Sequence, residues 1–109
     1  MVVVPCSMAT LAGIAGGSSR SLIERAADVA LKESLPLILV PRETPLNRIH
    51  IRNMLLAAEA GARILPAMPG FYGRPAAVEE LVDFIVGRIL DNLNLNNDLY
   101  QRYAGRDEE

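Results

Sequence analysis

The sequence predicts an α/β domain, a parallel β-sheet with helices on both faces. Two observations carry this. Short apolar runs alternate along the chain with segments of helical periodicity, the pattern of strand–helix–strand units. The runs are also continuously apolar, Val2-Val3-Val4 and Leu37-Ile38-Leu39-Val40, which suits parallel strands buried on both sides.

Val2–Pro5 is the first expected strand. After the hydroxyl residue Ser7, Met8–Gly16 reads as a short helix of very small residues, ended by Gly16-Gly17 and a Ser-rich turn. Such a helix can lie close to a neighbour or a flat ligand. Leu22–Glu33 is the second expected helix, with Leu22, Ala26, Val29 and Ala30 on one side. Leu37–Val40, between Pro36 and Pro41, is a buried strand. Arg48–Ala60 is the third helix and Gly61 its C-cap. Ile64-Leu65 is a short strand that Pro66 ends. A loop punctuated by Pro66, Pro69, Gly70, Gly73 and Pro75 follows and bears Phe71-Tyr72. The longest helix, about Ala77–Leu93, has a core stripe of Val78, Leu81, Val82, Ile85, Ile89 and Leu93. Residues 1–93 thus form the α/β part, and 94–109 a polar C-terminal tail in which Leu99, Tyr100 and Tyr103 suit a short docking helix. Three strands are few for such a sheet, so another polypeptide segment or oligomerisation is expected to complete it.

The 109 residues bound the chain to one domain. A formal charge of −2 gives no field that recruits nucleic acid. Of the eleven basic residues, Lys32 alone is a lysine. Arginine's fork suits phosphate and carboxylate, although Arg-favouring codon usage explains the bias equally well. The single cysteine, Cys6, excludes an internal disulfide and fits a reducing compartment. One His and one Cys argue against a metal site. Arg, Glu or Asp interrupts every apolar run short of membrane-spanning length, and the start lacks a secretory signal, so a cytoplasmic protein without membrane contact is expected.

Several residues are placed to do chemistry. Ser7-Met8-Ala9-Thr10 follows a strand and opens a helix, where unpaired N–H groups and the positive dipole end suit a phosphate or an electron-rich ring. Arg42-Glu43-Thr44-Pro45 follows the second strand, and the carboxyl ends of parallel strands are where α/β ligands bind. There Arg42 can hold a phosphate and Glu43 can move a proton. On the bland reading, Thr44 and Pro45 cap the next helix and the charges are solvated. Arg25, Asp28 and Lys32 share a helix face, as a salt-bridge ladder or a phosphate cradle. Phe71-Tyr72 suits a lid over a flat ligand or an anchor for its loop. Gly87, inside a helix, implies close packing or ligand approach. His50 reads as an ordinary helix residue. The residues alone stop at a phosphate-binding α/β domain, with no GxGxxG, Walker loop or Ser/His/Asp set.

Together these segments resemble the flavin prenyltransferase family (UbiX/Pad1-like). The resemblance rests on Pro5–Ala15, Leu22–Val29 with Lys32-Glu33, Arg42–Leu46, His50, Asn53-Met54, Glu59, Gly61-Ala62, Pro69–Tyr72 with Arg74-Pro75, and Val82–Phe84 with Gly87-Arg88. It implies a flavodoxin-/Rossmann-like three-layer sheet, incomplete at its N-terminal side, and transfer of a dimethylallyl group from dimethylallyl phosphate to N5 and C6 of reduced FMN without a metal. The prenylated FMN would pass to a UbiD-type decarboxylase. By motif, Ser7, Met8, Ala9, Thr10 and Arg42 would contact FMN, and Tyr72 and Arg88 would bind dimethylallyl phosphate. Glu43 and Lys32 would sit at its phosphate with Arg25 nearby. A homo-oligomer, commonly a dodecamer, is implied as well.

Two departures stand out. Ser21 replaces the family's common Asn, and the family's N-terminal half, with its flavin loop, has no counterpart here. The chain therefore reads as a C-terminal portion, expected by itself to bind FMN weakly and turn over poorly. The alternatives are a non-catalytic FMN/nucleotide-binding or oligomerisation module, and a relative of the flavoprotein cysteine decarboxylases, whose Asn- and Met-rich substrate motif is not seen.

Overall fold

In a computed structural model, which describes residues 1–104, apolar strands and capped helices alternate as the sequence predicts. The end of the 94–109 tail lies outside the described residues. The order is β1 (Val2–Cys6), α1 (Met8–Gly16), α2 (Leu22–Lys32), β2 (Ile38–Pro41), α3 (Arg48–Ala60), β3 (Arg63–Ile64) and α4 (Val78–Asn92). Contacts divide the chain into two units, Met1–Ala67 and a second from Met68 onward.

In the first unit, the strands lie in the order β1-β2-β3 and both pairings are parallel. Val3 faces Leu39 and Cys6 faces Pro41, so β1 carries one extra residue across Val4-Pro5. Proline cannot donate to a ladder and is confined to edges and bulges, and Pro5 occupies both. Leu37 and Leu39 join Val3, Leu11, Ile14 and Ala57 in one cluster beneath the helices. Ile38 and Val40, on the opposite side of β2, are buried too. The central strand is therefore covered on both faces, as its continuous apolar run requires.

The helices start and stop where their chemistry dictates. Ser7 Oγ accepts the Thr10 N–H at 3.1 Å, and α1 ends at Gly17 in the left-handed region, φ 66°. Ser21 Oγ likewise accepts the Glu24 N–H, and Glu24 Oε1 accepts the Arg20 N–H at 3.1 Å. For α3 the cap is Asn47, whose Oδ1 accepts the His50 N–H at 2.8 Å while His50 Nδ1 accepts the Asn47 N–H. His50 is thus a capping residue, and Thr44-Pro45 lie before the cap instead of forming it.

The face of α2 differs from expectation. Leu22 and Val29 are exposed, whereas Ala30 is buried as expected and is joined by Glu24 and Ala27. The cause is close packing of α2 on α1. A Cβ at Gly13 would overlap the Glu24 carboxyl, so only small residues and a hydrogen-bonded carboxylate fit the crossing.

In the second unit, the Glu80 carboxylate accepts the N–H groups of Ala76 and Ala77, which opens α4. Its expected stripe is only partly inward, because Val78 and Val82 are exposed while Gly87 and Ile89 are buried. The reason lies C-terminal to the helix. A Cβ at Gly87 would strike the Tyr100 ring and approach Asn97 Oδ1 to 3.0 Å, so the following segment packs on that turn. Residues 95–104 carry no helix, and the short docking helix expected there is absent from them. Their polar side chains bind Asp91 of α4 instead.

Candidate functional site

The residues predicted to meet a ligand fall into three groups. The first lies at the carboxyl edge of the sheet. Cys6 and Pro41 are paired neighbours on parallel strands, so Ser7 and Arg42, the next residues, leave the sheet side by side. The motif Ser7-Met8-Ala9-Thr10 and the pair Arg42-Glu43 are thereby brought to one rim. Ser7, Ala9, Arg42 and Glu43 are exposed, while Met8 packs partly against the core. The first-turn N–H groups of α1 have no acceptor within the helix, apart from that of Thr10, which Ser7 takes. Ser7 Oγ also donates to Thr10 Oγ1 at 3.1 Å, which fixes both hydroxyls. This rim offers outward N–H donors, two hydroxyls, a guanidinium and a carboxylate.

Arg25 and Lys32 form the second group, on α2. Lys32 does not join the rim. Leu31 packs at Gly61, a methyl of Leu31 lying 3.7 Å from where a Gly61 Cβ would stand, and Gly61 just precedes β3. The C-terminal end of α2 therefore sits at the amino edge of the strands. A four-residue strand spans about 13 Å, which separates Lys32 from Glu43 within one chain. The salt-bridge ladder does not form either. Among the described residues the ion pairs are Arg88–Asp91 and Arg102–Asp91, and Arg25, Asp28 and Lys32 enter none.

The third group, Tyr72 and Arg88, belongs to the second unit. Tyr72 meets Phe84 and Tyr103 edge-on, with centroids 5.9 and 5.3 Å apart. It borders an open cleft of about 380 Å³ with Gly70, Pro75, Phe84 and Tyr100. Arg88 is half exposed. Its Nη1 lies 3.4 Å from Asp91 Oδ2 and 3.3 Å from the Tyr100 hydroxyl oxygen. Arg102 grips the same carboxylate with both nitrogens, at 2.8 and 3.0 Å. This pairing, with the Tyr100 hydroxyl donating to Oδ2, holds the Asp91 carboxyl well below the usual carboxylate range. The hydrogen bond to Tyr100 raises Arg88 further above its ordinary value. Sequence reasoning named Arg88 and Tyr100 but missed Asp91 and Arg102, which join them. The Arg88–Asp91 spacing of three was a visible signal, whereas Arg102 and Tyr100 follow no helical period.

Cys6 lies just under the rim and is 1% exposed. Burial pushes its thiol up to about 11. At pH 8 the thiolate is then scarce as well as covered. Iodoacetamide is expected to leave the native protein unlabelled and to label it fully in denaturant, with intact mass as the readout. Among the described residues no group of side chains could hold a metal ion, and no helix is long and apolar enough to cross a membrane.

The comparisons with known proteins agree with this architecture. The Flavoprotein family model matches residues 1–90. The flavin prenyltransferase UbiX of Methanothermobacter thermautotrophicus is 53% identical over 107 residues, covering 98% of this chain and 56% of that protein. The flavin prenyltransferase UbiX of Pseudomonas aeruginosa is 56% identical over 104 residues, covering 95% of this chain and 50% of that protein. The chain thus spans about half the length of these relatives. Among solved structures, AnUbiX (PadA1) in complex with FMN and dimethylallyl pyrophosphate superposes with a TM-score of 0.94 at 50% identity, over 98% of this chain and 57% of that one. A dodecameric FMN-dependent UbiX-like decarboxylase from Escherichia coli O157:H7 superposes with a TM-score of 0.92 at 48% identity, over 96% and 57%. With its parallel sheet, its open helix N-terminus at the sheet's carboxyl rim and this match over most of its length, the chain belongs to the flavoprotein family.

Proposed function

We propose that this chain is part of a flavin prenyltransferase that transfers a dimethylallyl group from dimethylallyl phosphate to reduced FMN in the cytoplasm, for use by a UbiD-type decarboxylase. The observation that carries the reading is the shared rim, where Ser7–Thr10 and Arg42-Glu43 emerge from paired strand ends. The rim fits FMN. Outward N–H groups of α1, the Ser7 and Thr10 hydroxyls and Arg42 are donors suited to a phosphate or to flavin carbonyl oxygens, and small Ala9 leaves room for a flat ring. AnUbiX, half identical to this chain, is a complex with FMN and a dimethylallyl diphosphate.

Reduced FMN, when bound, supplies the electron-rich N5 and C6 that accept the dimethylallyl group. The chain's residues handle the rest. Arg88 and Tyr72 hold dimethylallyl phosphate, Arg88 through its charge and Tyr72 through its ring face and hydroxyl. Arg25 and Lys32 stabilise the departing phosphate, whose charge grows as the C–O bond breaks. Glu43 supplies or accepts the proton that accompanies that departure. An aromatic surface beside the allylic fragment shelters its positive charge from water.

Lys32 and Glu43 lie at opposite ends of the strands, so they reach one phosphate only across two copies of the chain. A homo-oligomer is therefore part of this reading, and a UbiX-like structural neighbour is dodecameric.

The test is anaerobic mixing of the full-length protein that contains this chain with reduced FMN and dimethylallyl phosphate. Appearance of the prenylated flavin's absorption spectrum is the expected result. A purified full-length protein that retains no flavin at saturating FMN would sink the proposal.

A further inference from the structure

The second unit carries a charge arrangement that the assignment of Arg88 does not explain. Two guanidinium groups, Arg88 and Arg102, compete for one carboxylate, Asp91. They do not share it equally. Arg102 makes the bidentate pair, Nη1 to Oδ2 at 2.8 Å and Nη2 to Oδ1 at 3.0 Å. Arg88 makes one long contact of 3.4 Å, from Nη1 only. Asn97 Nδ2 donates to Oδ1 at 2.9 Å and the Tyr100 hydroxyl donates to Oδ2. Both carboxylate oxygens are therefore filled without Arg88.

The remaining contacts hold Arg102 in this place. Its Nη2 donates to the Asn97 carbonyl at 3.1 Å, its Nη1 to the Tyr100 oxygen at 2.6 Å, and its guanidinium carbon stacks 4.7 Å from the Tyr100 ring centre. The Tyr100 ring in turn sits where a Gly87 Cβ would be, one residue before Arg88. Among the described residues, Arg88 Nε and Nη2 donate to nothing, and 48% of its side chain is exposed. Asp98 adds its charge on the Arg102 side, so of the two cations at Asp91 the geometry leaves Arg88 the less paired.

We propose that Arg102 is a positioning residue: by saturating Asp91, it keeps Arg88 a free cation whose Nε and Nη2 can grip the phosphate of an anionic substrate in two-point fashion. This rests on the reading of Arg88 given above. Without Arg102, Asp91 stands three residues along the same helix from Arg88 and has lost its stronger partner. The two would close a bidentate pair, and an incoming phosphate would have to displace the carboxylate.

The proposal predicts a rescue that a purely structural role cannot give. Binding of dimethylallyl phosphate is measured by calorimetry with FMN present. Arg102→Ala is expected to weaken it roughly tenfold, with flavin affinity unchanged. Adding Asp91→Asn removes the competing charge and is expected to restore binding to within about threefold of the parent. A double variant no better than Arg102→Ala, or an Arg102→Ala protein with unchanged affinity, overturns the proposal. Arg88→Ala serves as the separate check. If it keeps full phosphate affinity, the reading of Arg88 itself fails. A ligand-free readout uses the 15N–1H signals of the Arg88 guanidinium. In Arg102→Ala the Nη2 protons are expected to become protected by pairing with Asp91, and exchange as fast as in the parent overturns the proposal.

Discussion

In the full-length protein, Glu43→Gln is expected to leave flavin bound and to stop the transfer. The substitution keeps the shape and removes the ability to carry a proton, so turnover should fall by about 10²- to 10⁴-fold, the usual contribution of a positioned acid–base group. Glu43 is exposed, lies in an irregular segment between β2 and α3, and pairs with no cation among the described residues. Its loss should therefore cost little folding stability. The measurement combines single-turnover absorbance with flavin retention on the purified variant. A Gln variant within threefold of the parent rate would remove Glu43 from the mechanism.

Leu39→Ala should have the largest effect on folding. Leu39 is 0% exposed, sits on the central strand and is flanked by Val3 and Ile64 on its two neighbours. Truncating a buried leucine costs about 2–5 kcal/mol, because the lost transfer energy is joined by a cavity the sheet cannot close. Against a domain stability of roughly 5–15 kcal/mol, that is a large fraction. Urea unfolding followed by far-UV circular dichroism should show a lower midpoint with a similar slope. A shift equivalent to less than about 1 kcal/mol would mean that this core is looser than its burial indicates.

The helix limits were legible because their stop signals are local. Ser7, Gly17 and Gly61 act through bonds to residues within one turn of themselves, and α1 and α3 run over the residues the sequence predicts. The faces of the helices were harder to read. On α2 the hydrophobic pattern favoured Leu22 and Val29 beside Ala30, but the crossing at Gly13 keeps Ala30 and selects Ala27 and a carboxylate, Glu24, which accepts the Arg20 N–H. Nothing in α2 alone announces how close α1 comes. The rim was legible for a different reason: a residue that follows a parallel strand is bound to emerge at its carboxyl edge, whatever else happens. By the same logic Lys32 could not be placed from its helical spacing. That spacing relates it to Arg25 and Asp28 and says nothing of the strand between it and Glu43. Arg102 was out of reach, since its partner Asp91 lies eleven residues away across a segment with no regular period.

The sheet order has a directional consequence. From β1 to β2 to β3 the chain advances sideways in one sense and never doubles back. In open α/β sheets the ligand crevice opens where two neighbouring strands send their crossovers to opposite sides. No such parting exists between the strands of Met1–Ala67, since α1 packs against both α2 and α3. No crevice therefore opens between these three described strands. A crevice on the β1 flank would have Ser7 and the start of α1 as one bank, and the bulge at Val4-Pro5 as the bend in its floor.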